Sequence, residues 1–154
     1  DIPVIAAGGI GDGRGMAAAF MLGAQGVQIG TRFLTSYECN VSRQYKEAVL
    51  AAKDSSTTIT GRTTGHPIRV IKNKLSRQLT QMENHGEDPE KIAELGVGAL
   101  QKAVIDGDVE YGSVMSGQIA GMINREQSCK EIIEDLMRDC ADVFRNRNAL
   151  LDIR

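Results

Sequence analysis

Residues 3–15 read PVIAAGGIGDGRG: four apolar residues run into a pair of glycines, then a charged turn and more glycine. Residues 2–6 form a continuous apolar run stopped by glycine, the pattern of a strand buried on both faces of a parallel α/β sheet. The next segment, RGMAAAFMLG at 14–23, is rich in helix formers, with Asp12 placed to cap its start and Gly23 to stop it. A second short strand follows at 26–30 (GVQIG), again ended by glycine, and runs into TRFL at 31–34, which suits a short helix. Strand, loop, helix and strand together make a βαβ unit with a right-handed crossover.

Parallel strands joined by a crossover carry their C-terminal ends to one edge of the sheet, so Gly8 and Gly9 are expected beside Gly30 and Thr31. Glycine admits a ligand close to the backbone, and free N–H groups after a strand bind phosphate. Thr31 adds a hydroxyl donor. In (β/α)8 barrels the phosphate site lies in this place, after strands 7 and 8. The competing account is a pair of tight turns that hold no ligand. A dinucleotide fingerprint is disfavoured, because the glycines do not follow GxGxxG with an acidic residue about 20 positions on.

The 154 residues suit one ordinary domain or a piece of a larger one. The chain begins at Asp1 rather than Met, which leads us to expect a fragment or processed product, and its first apolar run lacks the basic flank of a signal peptide. With 42% hydrophobic and 25% charged residues it has the make-up of a soluble domain, and no apolar stretch is long enough to span a bilayer. Its three cysteines, Cys39, Cys129 and Cys140, are odd in number and far apart, which fits reduced thiols and a cytoplasmic setting. A formal net charge of −2 and the absence of Trp argue against nucleic-acid binding. No metal-ligand spacing stands out.

Along the remainder, residues 42–53 read as an exposed amphipathic helix capped by Ser42, and 54–67 as either a loop or a small hairpin. From 55 to 82 there is no acidic residue, whereas Arg62, Arg69, Lys72, Lys74 and Arg77 carry five positive charges. That segment is either a solvated helix face or a surface that steers an anionic partner. His66, beside Pro67, reads as a turn residue. Asp88 and Pro89 fit the cap and first position of a helix over 89–105, weakened by Gly96 and Gly98. Asp106, Asp108 and Glu110 form either a solvated acidic loop or a seat for a hard cation. In 112–123 small and apolar residues mix and Gly117 and Gly121 share a helical face; this is either a packed helix of small residues or a helix start near 116–118 that points donors, the Gln118 amide among them, at a carbonyl or an anionic edge. Residues 128–148 are the clearest helix, opened by a Ser128–Glu131 capping box. Ile132, Ile133, Leu136, Met137, Cys140, Val143 and Phe144 form its apolar stripe. Cys129 and Cys140 read as inert.

The stretch IPVIAAGGIGDGRGMAAAFMLGAQGVQIGTRF at 2–33 strongly resembles the last two βα units of the FMN-dependent family that holds nitronate monooxygenases and enoyl-[acyl-carrier-protein] reductase II. GHPIRVIKNKLSRQ (65–78) and GALQKAVIDGDVEYGSVMSGQIAGMI (98–123) resemble the reductase branch. The resemblance implies the C-terminal part of a TIM (β/α)8 barrel over 1–40, then a helical and loop insertion with the basic segment over 41–111. A flavin-edge segment and C-terminal helix would follow over 112–154. It implies FMN, with NADH or NADPH as co-substrate and an enoyl thioester on acyl carrier protein as partner. Oxidation of alkyl nitronates, or a non-catalytic phosphate-binding fragment, are the alternatives. By similarity Ala7, Gly8 and Gly9 match the first phosphate-binding loop and Gly30 and Thr31 the second. Met115, Ser116, Gly117 and Gln118 match the segment approaching the flavin ring, where the family usually shows MAGQ in place of MSGQ. The basic segment would steer the acidic carrier or the NADPH 2′-phosphate. Neither His66 nor His85 occupies the family's catalytic histidine position. The catalytic residues are therefore unknown here, and the chain alone is expected to be inactive and to form a homo-oligomer or pair with the missing N-terminal part.

Overall fold

The computed structural model describes residues 2–151 of the backbone and the side chains of residues 2–146. Strands β1 (Ile5–Ala7) and β2 (Gly26–Gln28) pair in parallel, with Ile5 opposite Gly26, Ala6 opposite Val27 and Ala7 opposite Gln28. Helix α1 (Gly13–Met21) makes the crossover between them. The Asp12 carboxylate accepts from the Gly15 N–H at 2.9 Å, and Gly23, at φ +98°, ends the helix. Cap and stop both act where the sequence puts them. The expected burial of residues 2–6 does not hold: Ile2, Val4 and Ile5 are 89, 63 and 52% exposed. A strand in a two-stranded sheet has one neighbour, and among the described residues no layer covers this apolar face.

Helix α6 (Cys129–Leu151) packs along α1. Its capping box forms as read: the Ser128 N–H donates to the Glu131 carboxylate at 2.7 Å and the Glu131 N–H to Ser128 Oγ at 3.2 Å. Ile132, Leu136 and Cys140, spaced four apart, bury with Ile10, Met16 and Ala17 of the facing segment. Ile133 and Met137 are exposed instead. They sit one residue, about 100°, around the helix from the buried row and face a shallow apolar groove with Val27, Ile29 and Phe33. Gly13 lets the helices touch. A Cβ there would lie 2.5 Å from both Asp139 Cβ and the Cys140 backbone nitrogen. Burial pushes the Cys140 thiol pKa up, consistent with an inert sulfur.

The second body is built around α2 (Arg43–Leu50), capped by Ser42 as expected, which exposes Arg43, Gln44 and Glu47 and buries its opposite face. Tyr45 and Val49 are 2 and 0% exposed, at the centre of a cluster with Ala103, Val114, Ile119, Ala120 and Ile123. Burial, more than its own hydrogen bond, sets the Tyr45 phenol and pushes its pKa up to about 12; the hydroxyl donates to the Met115 carbonyl at 2.7 Å. The segment read as a loop or small hairpin over 54–67 holds the first strand and turn of a hairpin whose second strand lies beyond it. β3 (Thr57–Thr60) and β4 (Ile68–Ile71) pair antiparallel. Gly61, at φ +79°, opens the turn and leaves no room for a Cβ, which would lie 2.4 Å from the His66 carbonyl oxygen; the His66 N–H closes the loop on the Gly61 carbonyl at 3.0 Å. Residues 114–116 join the far edge: the Ile71 N–H donates to the Val114 carbonyl at 2.9 Å and the Ser116 N–H to the Arg69 carbonyl at 3.1 Å.

Helix α3 (Lys74–Asn84) carries part of the basic segment. Its cap, Asn73, also donates through its amide to the Val109 and Gly112 carbonyls at 2.8 and 2.7 Å, tying the acidic loop to the hairpin. Glu110 of that loop pairs with Lys74. The helix expected over 89–105 breaks. Asp88 and Pro89 open α4 (Pro89–Gly96), but Gly98 adopts φ +72°, and α5 (Ala99–Gln101) continues as a π turn over Lys102–Asp106. A helix cannot run through a left-handed residue. Residues 116–118 do not start an α-helix either. A 3₁₀ turn, Gln118–Met122, takes that place, and Gly121 packs against the backbone of Lys53 and Asp54 while Gly117 meets Thr31. Among the described residues no helix is long and apolar enough to cross a membrane, and no metal-holding cluster of His, Cys, Asp or Glu forms.

Two outcomes follow from the α1–α6 contact. Gly13→Ala improves helix propensity by at most about 1 kcal/mol. The added methyl meets backbone that cannot yield, and overpacking costs about 1–3 kcal/mol; denaturant titration should show net destabilisation, and a higher midpoint would refute the close approach. On α6, Asp135 accepts from Gln127 Nε2 at 2.7 Å, from Arg138 at 2.7 Å and from Arg125 at 3.0 Å. The Gln127 amide and then Arg138 hold its carboxyl down to about 2, from an ordinary 3.8. A carboxyl whose folded pKa is depressed stabilises the fold above its unfolded pKa and loses that contribution as pH falls. Melting temperatures should therefore drop more steeply between about pH 4 and 2 in the native chain than in Asp135→Asn.

Candidate functional site

The parallel register sets the C-terminal ends of β1 and β2 side by side, and the two turns that leave them share one cavity. Ala7, Gly8, Gly9, Gly30, Thr31 and Gly117 line it, with Ile10, Gln28, Ile29 and Ile119 completing the wall around about 340 Å³. The two loops inferred from sequence to lie beside each other do so.

The three cavity-lining glycines of the strand-end turns are there for different reasons. Gly8 and Gly9 have φ of +90° and +72°, which a side chain would strain whatever the surrounding space. Gly30 has an ordinary φ of −105°, and a Cβ built on it meets nothing within 4 Å. Neither backbone conformation nor packing requires glycine at position 30. Its missing side chain leaves the cavity floor bare.

Thr31 ties the second turn to the 115–118 segment. Its Oγ1 accepts from the Gly117 N–H at 2.9 Å, and a Cβ on Gly117 would press on that oxygen at 3.1 Å. Among the hydrogen bonds of the described residues the Thr31 hydroxyl proton is uncommitted, so the side chain can accept from Gly117 and donate into the cavity at once. Met115 and Gln118 lie outside this lining. Met115 is half-buried, its carbonyl held by Tyr45 and its backbone bridged to Val70, and Gln118 is exposed at the start of the 3₁₀ turn. Ser116 is buried with its hydroxyl lacking a hydrogen-bond partner.

Of the basic residues, Arg69 donates to Thr57 at 3.0 Å and Lys74 is taken by Glu110. Lys72 and Arg77 border a separate cleft of about 300 Å³ with Thr58, Ser76, Thr80 and Gln81. His66 lines a third hollow between the hairpin and α4, and His85 caps α3, so neither reaches the glycine cavity.

The fold has counterparts among known proteins. FabK from Thermotoga maritima superposes with a TM-score of 0.92 at 45% identity, covering 97% of this chain and 48% of its own. A probable nitronate monooxygenase of Staphylococcus saprophyticus is 34% identical over 94% of this chain and 40% of the relative. The Mycobacterium tuberculosis (3aS,4S,5R,7aS)-5-hydroxy-7a-methyl-1-oxo-octahydro-1H-indene-4-carboxyl-CoA dehydrogenase is 33% identical over 98% of this chain and 53% of the relative. The chain thus spans about half the length of the relatives it matches, or less. The nitronate monooxygenase family profile matches residues 1–139, and the chain belongs to that family.

Proposed function

We propose that this chain is the C-terminal portion of an FMN-dependent enoyl-[acyl-carrier-protein] reductase and that the glycine cavity is its flavin phosphate grip. One observation carries the reading: Gly30 is glycine where the fold itself has no need of one, at the floor of a cavity shared by two strand-end turns. The residues present fit a phosphate. Ala7, Gly8 and Gly9 leave backbone along one side, Gly30 leaves the other side bare, and the Thr31 proton is available to an oxyanion. FMN would supply, when bound, the transfer of hydride from NADH or NADPH to the double bond of an enoyl thioester. The chain's residues hold and orient. Gly117 is fixed to Thr31, so the segment that resembles the family's ring-approaching loop moves as one piece with the phosphate grip. No histidine of this chain reaches the cavity, and none of its residues is assigned the proton donor's role. β1 and β2 would be two strands of the parent's barrel. Their exposed apolar face would pack there, and Lys72 and Arg77 would steer an anionic carrier or nucleotide.

The name shared by the family profile and the staphylococcal relative favours a second reading, oxidation of alkyl nitronates at the same flavin site.

If the grip is correct, FMN raises the melting temperature of the chain, and Gly30→Val abolishes the shift while leaving the ligand-free melting temperature nearly unchanged. An unaltered FMN shift in Gly30→Val would remove the phosphate assignment. On the full-length parent, loss of NADH or NADPH absorbance with an enoyl thioester supports the reductase. Oxygen uptake with an alkyl nitronate and no response to the thioester supports the monooxygenase.

A further inference from the structure

Next to the second turn, outside the cavity lining, lies a chain of polar side chains that the flavin reading does not use. The 3₁₀ turn Thr31–Thr35 begins at the cavity. Its second residue, Arg32, turns back into the protein, half-buried, and donates through Nη2 to the Gln127 Oε1. Its other guanidinium nitrogen reaches the Arg125 carbonyl only at 3.5 Å and Thr35 Oγ1 at 3.4 Å, so Gln127 is the close partner. Gln127 is 7% exposed. Its amide Nε2 donates to Asp135 Oδ2 at 2.7 Å, which settles which way round the amide sits: nitrogen toward the carboxylate, oxygen toward the guanidinium. Asp135 is in turn held by Arg125 and Arg138. The Gln127 backbone also takes the far end of the same turn. Its carbonyl accepts from the Tyr37 N–H at 3.0 Å, beside a parallel bridge to Ser36.

We propose that Gln127, oriented by Asp135, is a positioning residue that fixes the Gly30 and Thr31 limb of the cavity through Arg32. A desolvated guanidinium left without its acceptor is costly, so Arg32 stays where Gln127 presents an oxygen. The peptide linking Arg32 to Thr31 transmits that position to the hydroxyl facing the ligand, and Thr31 passes it to Gly117. The clamp acts first on the turn beneath the anion and reaches the 115–118 segment only through Thr31, so it should matter more for a phosphorylated ligand than for the same ring without one.

The inference rests on the flavin reading for its ligand, but its structural core can be read without any ligand. Two amides report the limb, Phe33 (donating to the Gly30 carbonyl at 2.9 Å) and Gly117 (donating to Thr31 Oγ1 at 2.9 Å). In the ligand-free chain, Gln127→Leu should speed hydrogen exchange at these two amides by about tenfold, the effect of one charge-assisted hydrogen bond. The Ala51 amide at the end of α2 should keep its rate. Gln127→Glu alone should do the same, because it sets two carboxylates against each other. The pair Gln127→Glu with Asp135→Asn restores an acceptor for Arg32 and a donor behind it, and should return the rates to near native. Unchanged rates at Phe33 and Gly117, equal acceleration of Ala51, or no recovery in the pair overturns the proposal. With ligand, Gln127→Leu should weaken FMN about tenfold and riboflavin less; equal losses for both overturn it. If the native chain binds neither flavin, the flavin reading fails, and the exchange rates alone decide the role of Gln127.

Discussion

Parallel pairing of two three-residue strands is the constraint on which the site depends. Hydrogen bonding in register, Ala7 opposite Gln28, puts the residues that follow each strand at the same height. An antiparallel pair would have sent one glycine turn to each end of the sheet. The crossover helix is what makes the parallel arrangement possible, and α6 holds that helix down through the close approach at Gly13. The route from core to cavity is therefore short: Cys140 and Leu136 pack on α1, α1 fixes the crossover, and the crossover fixes where Gly8 and Gly30 meet.

A second route reaches the same cavity from the other body. Tyr45, rooted in the most buried cluster, holds the Met115 carbonyl, and β4 holds residues 114–116 through two backbone bonds. Gly117 is thus presented to Thr31 by a rigid support. The cavity is lined from three separate segments, with one hydroxyl shared between two of them. Under the proposed reading such a site would recognise shape and negative charge and leave chemistry to the group it seats.

Local signals were legible because their physics is local. Asp12, Ser42, Asp88 and Ser128 each cap the helix they precede, since a side-chain acceptor two or three residues ahead of free N–H groups needs no tertiary context. The βαβ unit and the meeting of its two turns followed from glycine positions and apolar runs. What depended on neighbours was not legible. Residues 2–6 have the composition of a buried strand but lie exposed, because burial belongs to the layers around a strand. Periodicity could not separate Ile132 from Ile133, one residue apart at the edge of the same stripe. Gly98 looked like a mild weakness in a helix, whereas its left-handed backbone ends one. The long-range roles of Asn73 and Gln127 carried no signal, because Val109, Gly112 and Arg32 lie tens of residues away along the chain.

The contrast between the paired glycines and Gly30 also bears on how this lineage can drift. Gly8 and Gly9 are locked by their own backbone angles, and any descendant that keeps the turn keeps them, with or without a ligand. Gly30 is under no such compulsion. If the cavity seats an anion as proposed, a copy released from binding would be free to accumulate side chains at that position without harm to folding, and the residue found there would be a molecular fossil of occupancy.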